Sequence, residues 1–396
     1  MERAEAIGEA PEDPLLLFSF LWGVWSGSYV KFNGEAMKAL ASQFMTLAER
    51  QGTTIPMMVG HRLVGMTALH TSDIIGSRQH FDRAIALYNP AEHRALAPRF
   101  GQDIRVAALA FRALTLWLLG HPALALADIE NALKDGREID HGPSLMYALH
   151  RAAVSNMQLG YYAAASKHAD EMVIFATQKG VGFWKALGVI DQGAASAFLG
   201  NTSDAVQKIA SAINAYRSMG STVSLPEYLG YLANAHAQLG QFDEAFGCIR
   251  EAMTAVETTG ERWREADLER IAGEIALNSS RSDAARAEIH FERATFKADR
   301  APPRQVFSSP AVEPPSLPSQ RATYRREASR SCAGSAQPPC GAGYTPSIAV
   351  RERSARALRR VARLRRASAA QGSQRPSCRA ARPVASQRQA PPWCAR

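Results

Sequence analysis

Cysteine is almost absent from the first three quarters of this 396-residue chain: of its five cysteines, only Cys248 precedes residue 297. A disulfide framework is thereby excluded there, and a reduced, cytoplasmic setting is expected. A basic start is lacking too. The opening MERAEAIGEAPEDP sets Glu2, Glu5, Glu9, Glu12 and Asp13 against Arg3, the reverse of a secretory signal. Long apolar runs are also scarce. The uncharged stretch PLLLFSFLWGVWSGSYV, from Pro14 to Val30, contains two glycines and three serines. It falls short of the roughly 20 residues that cross a bilayer and is expected as a buried helix.

Signs of chemistry are missing as well. No G-x-x-x-x-G-K-S/T phosphate loop and no G-x-S-x-G nucleophile elbow occurs in the sequence. Ten histidines are present, but His61, His70, His80, His93, His121, His141, His150, His168, His236 and His290 stand at no metal-ligand spacing. Each is expected at the surface or hydrogen-bonded in the core. Cys332 and Cys340 are separated by seven residues and no histidine follows His290, which does not make a zinc site. Cys248 is expected to serve as a small buried apolar residue. We therefore expect no catalytic residue, no cofactor and no metal.

What the chain does have is a forty-residue echo. LWLLGHPALALADIENAL around Gly120, MQLGYYAAASKHADEM around Gly160, AFLGNTSDAVQKIASAI around Gly200 and AQLGQFDEAFGCIREAM around Gly240 each place an alanine five residues after the glycine. Between the glycines the apolar residues follow helical spacing: Ala125, Ile129, Ala132 and Leu133 fall at i, i+4, i+7 and i+8. RVAALAFRALTLWLL before Gly120 is apolar almost all round, as a helix enclosed by neighbours should be. Each period thus reads as two antiparallel helices. Its glycine stands where the first helix stops and φ turns positive, and its alanine where the second helix crosses the first closely. Gly120/Ala125, Gly160/Ala165, Gly200/Ala205 and Gly240/Ala245 are then one device copied four times. HFDRA at 80–84 and HFERA at 290–294 mark degenerate copies on the flanks. Seven helical pairs are expected, near 14–51, 55–89, 103–139, 144–179, 183–219, 223–260 and 263–296. The expected fold is all-α, a superhelical solenoid.

These small-residue and aromatic positions resemble the tetratricopeptide repeat, whose unit is about 34 residues and here is forty. More specifically, FDRAIALYNPAEHRALAPRFGQDIRVAALAFRALTLWLLGHPALALADIENAL and VETTGERWREADLERIAGEIAL resemble the C-terminal repeat region of large bacterial proteins. In those, a class III adenylate/guanylate cyclase domain or a DNA-binding domain precedes an AAA-type ATPase domain. The resemblance covers residues 1–296 and implies a place in nucleotide signalling or transcription. The catalytic activities it carries have no motif in this sequence. Because MERAEAIGEAPEDP reads like the end of a preceding repeat, the chain is expected to be the back portion of a longer protein. Without end caps, segment 1–296 is expected to associate.

After Ala294 the composition changes. Residues 297–396 hold 20 of the 46 Lys and Arg, 4 of the 37 Asp and Glu and 13 of the 21 prolines, a net charge of +16 that leaves residues 1–296 at −7. Proline at this density forbids regular helix, and disorder is expected. The stretch RERSARALRRVARLRR, 351–366, is the exception: it sets Ala357, Leu358, Val361 and Leu364 on one face of a basic amphipathic helix. A tail dominated by Arg, Ala, Pro, Ser and Gly is also what a GC-rich gene yields when read out of frame, and a frameshift product is the expectation here. A genuine tail would bind nucleic acid or an anionic membrane.

In a tetratricopeptide superhelix the first helix of each pair lines a concave groove that takes a peptide or a partner's helix. Position within those helices points to Trp117, Tyr147, His150, Met157, Ile190 and Asn234 as the lining. All but Asn234 serve equally well as packing between helices. The expected function is a non-catalytic interaction or regulatory module of a bacterial signalling protein, with a protein or peptide partner. The alternatives are a regulatory fragment of a cyclase or ATPase, and nucleic-acid or membrane binding through the tail.

Overall fold

The computed structural model describes residues 13–279, 283–299, 354–359 and 361–362. Among them the regular structure is helical, without strands. Fourteen helices form seven consecutive pairs: α1 Leu16–Val30 with α2 Gly34–Gln51, α3 Thr54–His70 with α4 Ile74–Ala86, and α5 Ile104–Leu118 with α6 Pro122–Glu138. Next come α7 Gly142–Leu159 with α8 Tyr162–Gln178, α9 Gly182–Phe198 with α10 Thr202–Ser218, α11 Leu225–Gln238 with α12 Phe242–Thr259, and α13 Glu265–Asn278 with α14 Ala284–Asp299. These pairs agree with the repeat pattern to within a few residues. Two short turns, Pro90–His93 and Arg94–Leu96, take up the longer connection between α4 and α5.

The turn chemistry is the same throughout. Gly120, Gly160, Gly200 and Gly240 lie at φ 89°, 84°, 96° and 74°. The residue after each donates its N–H five residues back: His121 to Leu116, Tyr161 to Asn156, Asn201 to Ser196 and Gln241 to His236. This closure satisfies helix-end carbonyls that would otherwise have no partner. A second series, not singled out in the sequence, ends the other helix of each pair: Asp140, Gly180, Gly220 and Gly260 are at φ 52°, 68°, 75° and 76°. The chain therefore turns through positive φ every twenty residues from 120 to 260. Ala125, Ala165, Ala205 and Ala245 are at most 1% exposed, leaving no room for a larger side chain at the crossing.

The flanking copies use a related contact. Phe81 and Phe291 are fully buried, and a Cβ placed on Gly65 or Gly273 would come within 2.9 Å or 2.7 Å of those rings. Each aromatic ring is seated on a glycine of the paired helix, so the ring and the missing side chain act together.

The two helices of a pair have different fates. In α8 only Ala165, Ala169, Met172 and Ala176 are buried, one face of the helix, whereas α7 is buried at every position from Met146 to Met157. The cause is the tightness of the superhelix. Thr222 and Val223, just before α11, donate to the Val30 carbonyl at the end of α1 at 2.9 and 3.2 Å, and Arg262, before α13, donates to the His70 carbonyl at the end of α3 at 3.0 Å. The first pair meets the sixth and the second meets the seventh, so one turn takes about five pairs and the next turn rests on it. The first helices are thereby driven against one another across the axis.

At the N-terminal end, α1 buries Phe18, Leu21 and Trp25 on one side and leaves Leu16, Phe20 and Val24 at 58%, 66% and 40% exposure on the other. No helix among the described residues is long and apolar enough to cross a membrane. Cys248 is half-buried rather than enclosed, because it lies at the edge of the buried face of α12, and burial pushes its thiol up to about 11.

Candidate functional site

Helices that converge on an axis bring their side chains to one place, and here that place is aromatic and polar. Phe111 of α5 is its hub, with ring centres 5.6 Å from His70, 5.5 Å from Tyr147, 6.2 Å from Phe81 and 6.5 Å from Tyr29. The Arg151 guanidinium lies 4.6 Å over the Phe111 ring, a cation on an aromatic face. Its Nε and Nη1 have no hydrogen-bond partner among the described residues, although Arg151 is only 4% exposed.

Around Arg151 stand three buried carboxylates. Asp191 of α9 is paired with His150 of α7 at 2.7 Å. Burial raises the Asp191 carboxyl, and the His150 contact opposes that rise. Glu227 of α11 accepts from the Tyr231 hydroxyl at 2.8 Å and from Gln158 Nε2 at 3.3 Å, with Arg264 Nε at 3.8 Å. Glu261, in the loop before α13, accepts from the Ser224 N–H at 3.0 Å and from Trp263 Nε1 at 3.0 Å. Burial pushes Glu261 up to about 8 despite those bonds, with Glu227 adding to the rise and Arg151 working against it.

Several polar atoms here keep unused capacity: Arg151 Nε and Nη1, His150 Nε2, Asp191 Oδ1, Gln158 Oε1 and Glu227 Oε2. Buried polar atoms are usually paired, so a cluster of donors and acceptors on three successive first helices stands out. The centre can offer hydrogen bonds of both senses and charges of both signs to a polar guest.

Of the residues expected to line a groove, Tyr147, His150, Met157 and Ile190 are buried at 6%, 2%, 5% and 0% exposure, while Trp117 and Asn234 are half-buried. Tyr147 and His150 belong to the polar centre. Arg151, Asp191, Glu227 and Glu261 carried no sequence signal, since charge in a helical repeat reads as surface. Glu261, Trp263 and Arg264 lie within the run VETTGERWREADLERIAGEIAL.

Folding also joins histidines that the sequence separates. His61 and His80 meet through their Nδ1 atoms at 2.9 Å, and burial lowers both, His61 to about 4. Among the described residues no three His, Cys, Asp or Glu side chains are grouped so as to hold a metal ion. A cleft of about 560 Å³ opens where the first and sixth pairs meet, lined by Val24, Lys31, Glu35 and Thr258 among others.

The fold is a tetratricopeptide-like solenoid. A Rap protein complexed with competence and sporulation factor is similar, with a TM-score of 0.54 at 13% identity over 92% of this chain and 89% of that one. Aspartyl phosphate phosphatase F from Bacillus subtilis matches at a TM-score of 0.45 and 12% identity, over 92% of this chain and 87% of that one. A tetratricopeptide repeat protein from Parabacteroides merdae matches at 0.39 and 16%, over 67% and 85%. No family model and no curated protein sequence matches the chain. At these identities the likeness is one of fold.

Proposed function

We propose that this chain is a non-catalytic regulatory module of a bacterial signalling protein, and that it recognises a short peptide or an extended segment of a partner protein. One observation carries this reading: the unpaired donors and acceptors of Arg151, Asp191, Gln158 and Glu227 at the buried centre. A peptide backbone presents N–H and C=O groups in alternation, which is the mixture that these atoms would satisfy. A protein of similar fold, a Rap protein, forms a complex with competence and sporulation factor. Trp117 and Asn234, both half-buried on first helices, are placed in this reading at the approaches to the centre.

A degenerate library of short peptides, incubated with the full chain and recovered by gel filtration, tests this. Retained sequences are expected to fall into one consensus, and Asn234→Ala is expected to lower their retention at least tenfold with little change in melting temperature. Equal recovery of all sequences, or no retention at all, would remove the peptide reading.

A second reading attaches the module to a class III cyclase or an AAA-type ATPase. It rests on the sequence resemblance, which runs through Glu261, Trp263 and Arg264; no family model or curated sequence matches the chain. DNA upstream of codon 1 that encodes a phosphate loop in the same frame would support it. An unrelated sequence there would end it.

A further inference from the structure

The basic stretch near the end of the chain does not stand alone. Residues 354–359 and 361–362 are helical, and Val361, 1% exposed, is packed in one cluster with Ala276, Leu277, Ala287 and Phe291 of α13 and α14. Ala357 and Leu358 lie against the same cluster, and Ser354 is buried. Positions 354, 357, 358 and 361 form one helical face, while Arg356 and Arg359 on the other face are exposed. Leu364, the fourth apolar residue expected on that face, lies outside the described residues.

We propose that the helical residues 354–359 and 361–362 cap the α13/α14 end of the solenoid. A stack of helix pairs leaves its last pair with an apolar flank that no following pair covers, and a cap with a polar outer face is what keeps such an array from associating. The α13/α14 flank has this need and the helix meets it, with Ala357, Leu358 and Val361 turned inward and Arg356 and Arg359 outward. Charge favours the docking, because residues 1–296 carry −7 and the tail +16. At the opposite end Leu16, Phe20 and Val24 are exposed apolar side chains. An undocked cap would therefore leave two different apolar ends on one molecule, and copies would join end to end without closing. This gives the tail a structural task that an out-of-frame product has no reason to perform. It also turns inward the apolar face that a membrane-binding helix would need.

The test uses the full chain. Leu358→Asp together with Val361→Asp should undock the cap without touching the pairs. Sedimentation velocity over a concentration series is expected to give a single-chain mass for the wild type and a rising mass for the variant, at unchanged far-UV helicity. Adding Phe20→Asp to the variant, or a synthetic peptide of residues 351–366, is expected to return it to the single-chain mass. Arg359→Glu, on the outer face, should behave as wild type. A variant with the mass and trypsin-cleavage pattern of the wild type would overturn the proposal. So would a variant of unchanged mass that loses binding to phosphatidylserine vesicles, because the apolar face would then belong to a membrane.

Discussion

Phe111→Ala is expected to lower stability by about 3–5 kcal/mol, the range for a large aromatic removed from a closed core. The position is fully buried, and its ring touches side chains from α1, α3, α4 and α7, so no single neighbour can move in to refill the space. A second loss adds to the cavity. The Arg151 guanidinium rests on this ring with Nε and Nη1 unpaired, and alanine would strip the charge of its π partner inside the protein. Phe111→Leu, which keeps most of the volume but not the ring, should cost about 1–2 kcal/mol. Urea denaturation followed by far-UV circular dichroism measures both. A loss below about 1 kcal/mol for the alanine variant would mean that the rings do not meet across the axis.

Stability should also fall as pH rises past neutrality. Glu261 has its folded-state value pushed from 4.5 to about 8, first by burial and then by the nearby Glu227 charge, against the hydrogen bonds from Trp263 and Ser224. A raised acid behaves opposite to a salt-bridged one: the folded chain holds a proton that the unfolded chain has released. Its contribution is full below the unfolded value of 4.5 and is lost as pH climbs through 8. His61 and His70, lowered to about 4 and about 3 by burial, have their effect below neutrality and do not interfere above it. Between pH 7 and 8.5 the wild type is expected to lose about 1 kcal/mol through Glu261 alone. Glu261→Gln keeps the shape of the protonated acid and a carbonyl oxygen that accepts from Ser224 and Trp263, so it should be no less stable than the wild type at neutral pH and should lack this component of the slope. Parallel stability curves for the two proteins would contradict the burial of Glu261.

The helix pairs were legible because their marks are local. A glycine that permits positive φ and an alanine at a close crossing can be read in any one repeat, and four copies make the period plain. The second series of turns was visible in principle at Gly180, Gly220 and Gly260, but Asp140 interrupts it and breaks the pattern. The contact of the first pair with the sixth left no trace, because it comes from small rotations summed over five repeats and from two backbone bonds whose partners are far apart in sequence. For the same reason the burial of Tyr147 and His150, expected as lining of a concave groove, follows from closure and not from their position within a repeat. The burial of Arg151, Glu227 and Glu261 beside them likewise has no local pattern in the sequence. The amphipathic face Ala357, Leu358 and Val361 was readable in the tail, but what it covers was not.

Closure of the superhelix around a buried polar centre is the claim on which the rest depends, and amide hydrogen exchange at Thr222, Val223 and Arg262 tests it most directly. These N–H groups lie in loops between pairs, and their acceptors are the carbonyls of Val30 and His70 in the first turn. The expected result is protection approaching that of the buried helices, lost together when Phe111→Ala loosens the axis. Exchange at the rate of an exposed loop in the wild-type chain would show an open array, with a solvent-filled groove where the polar centre is placed.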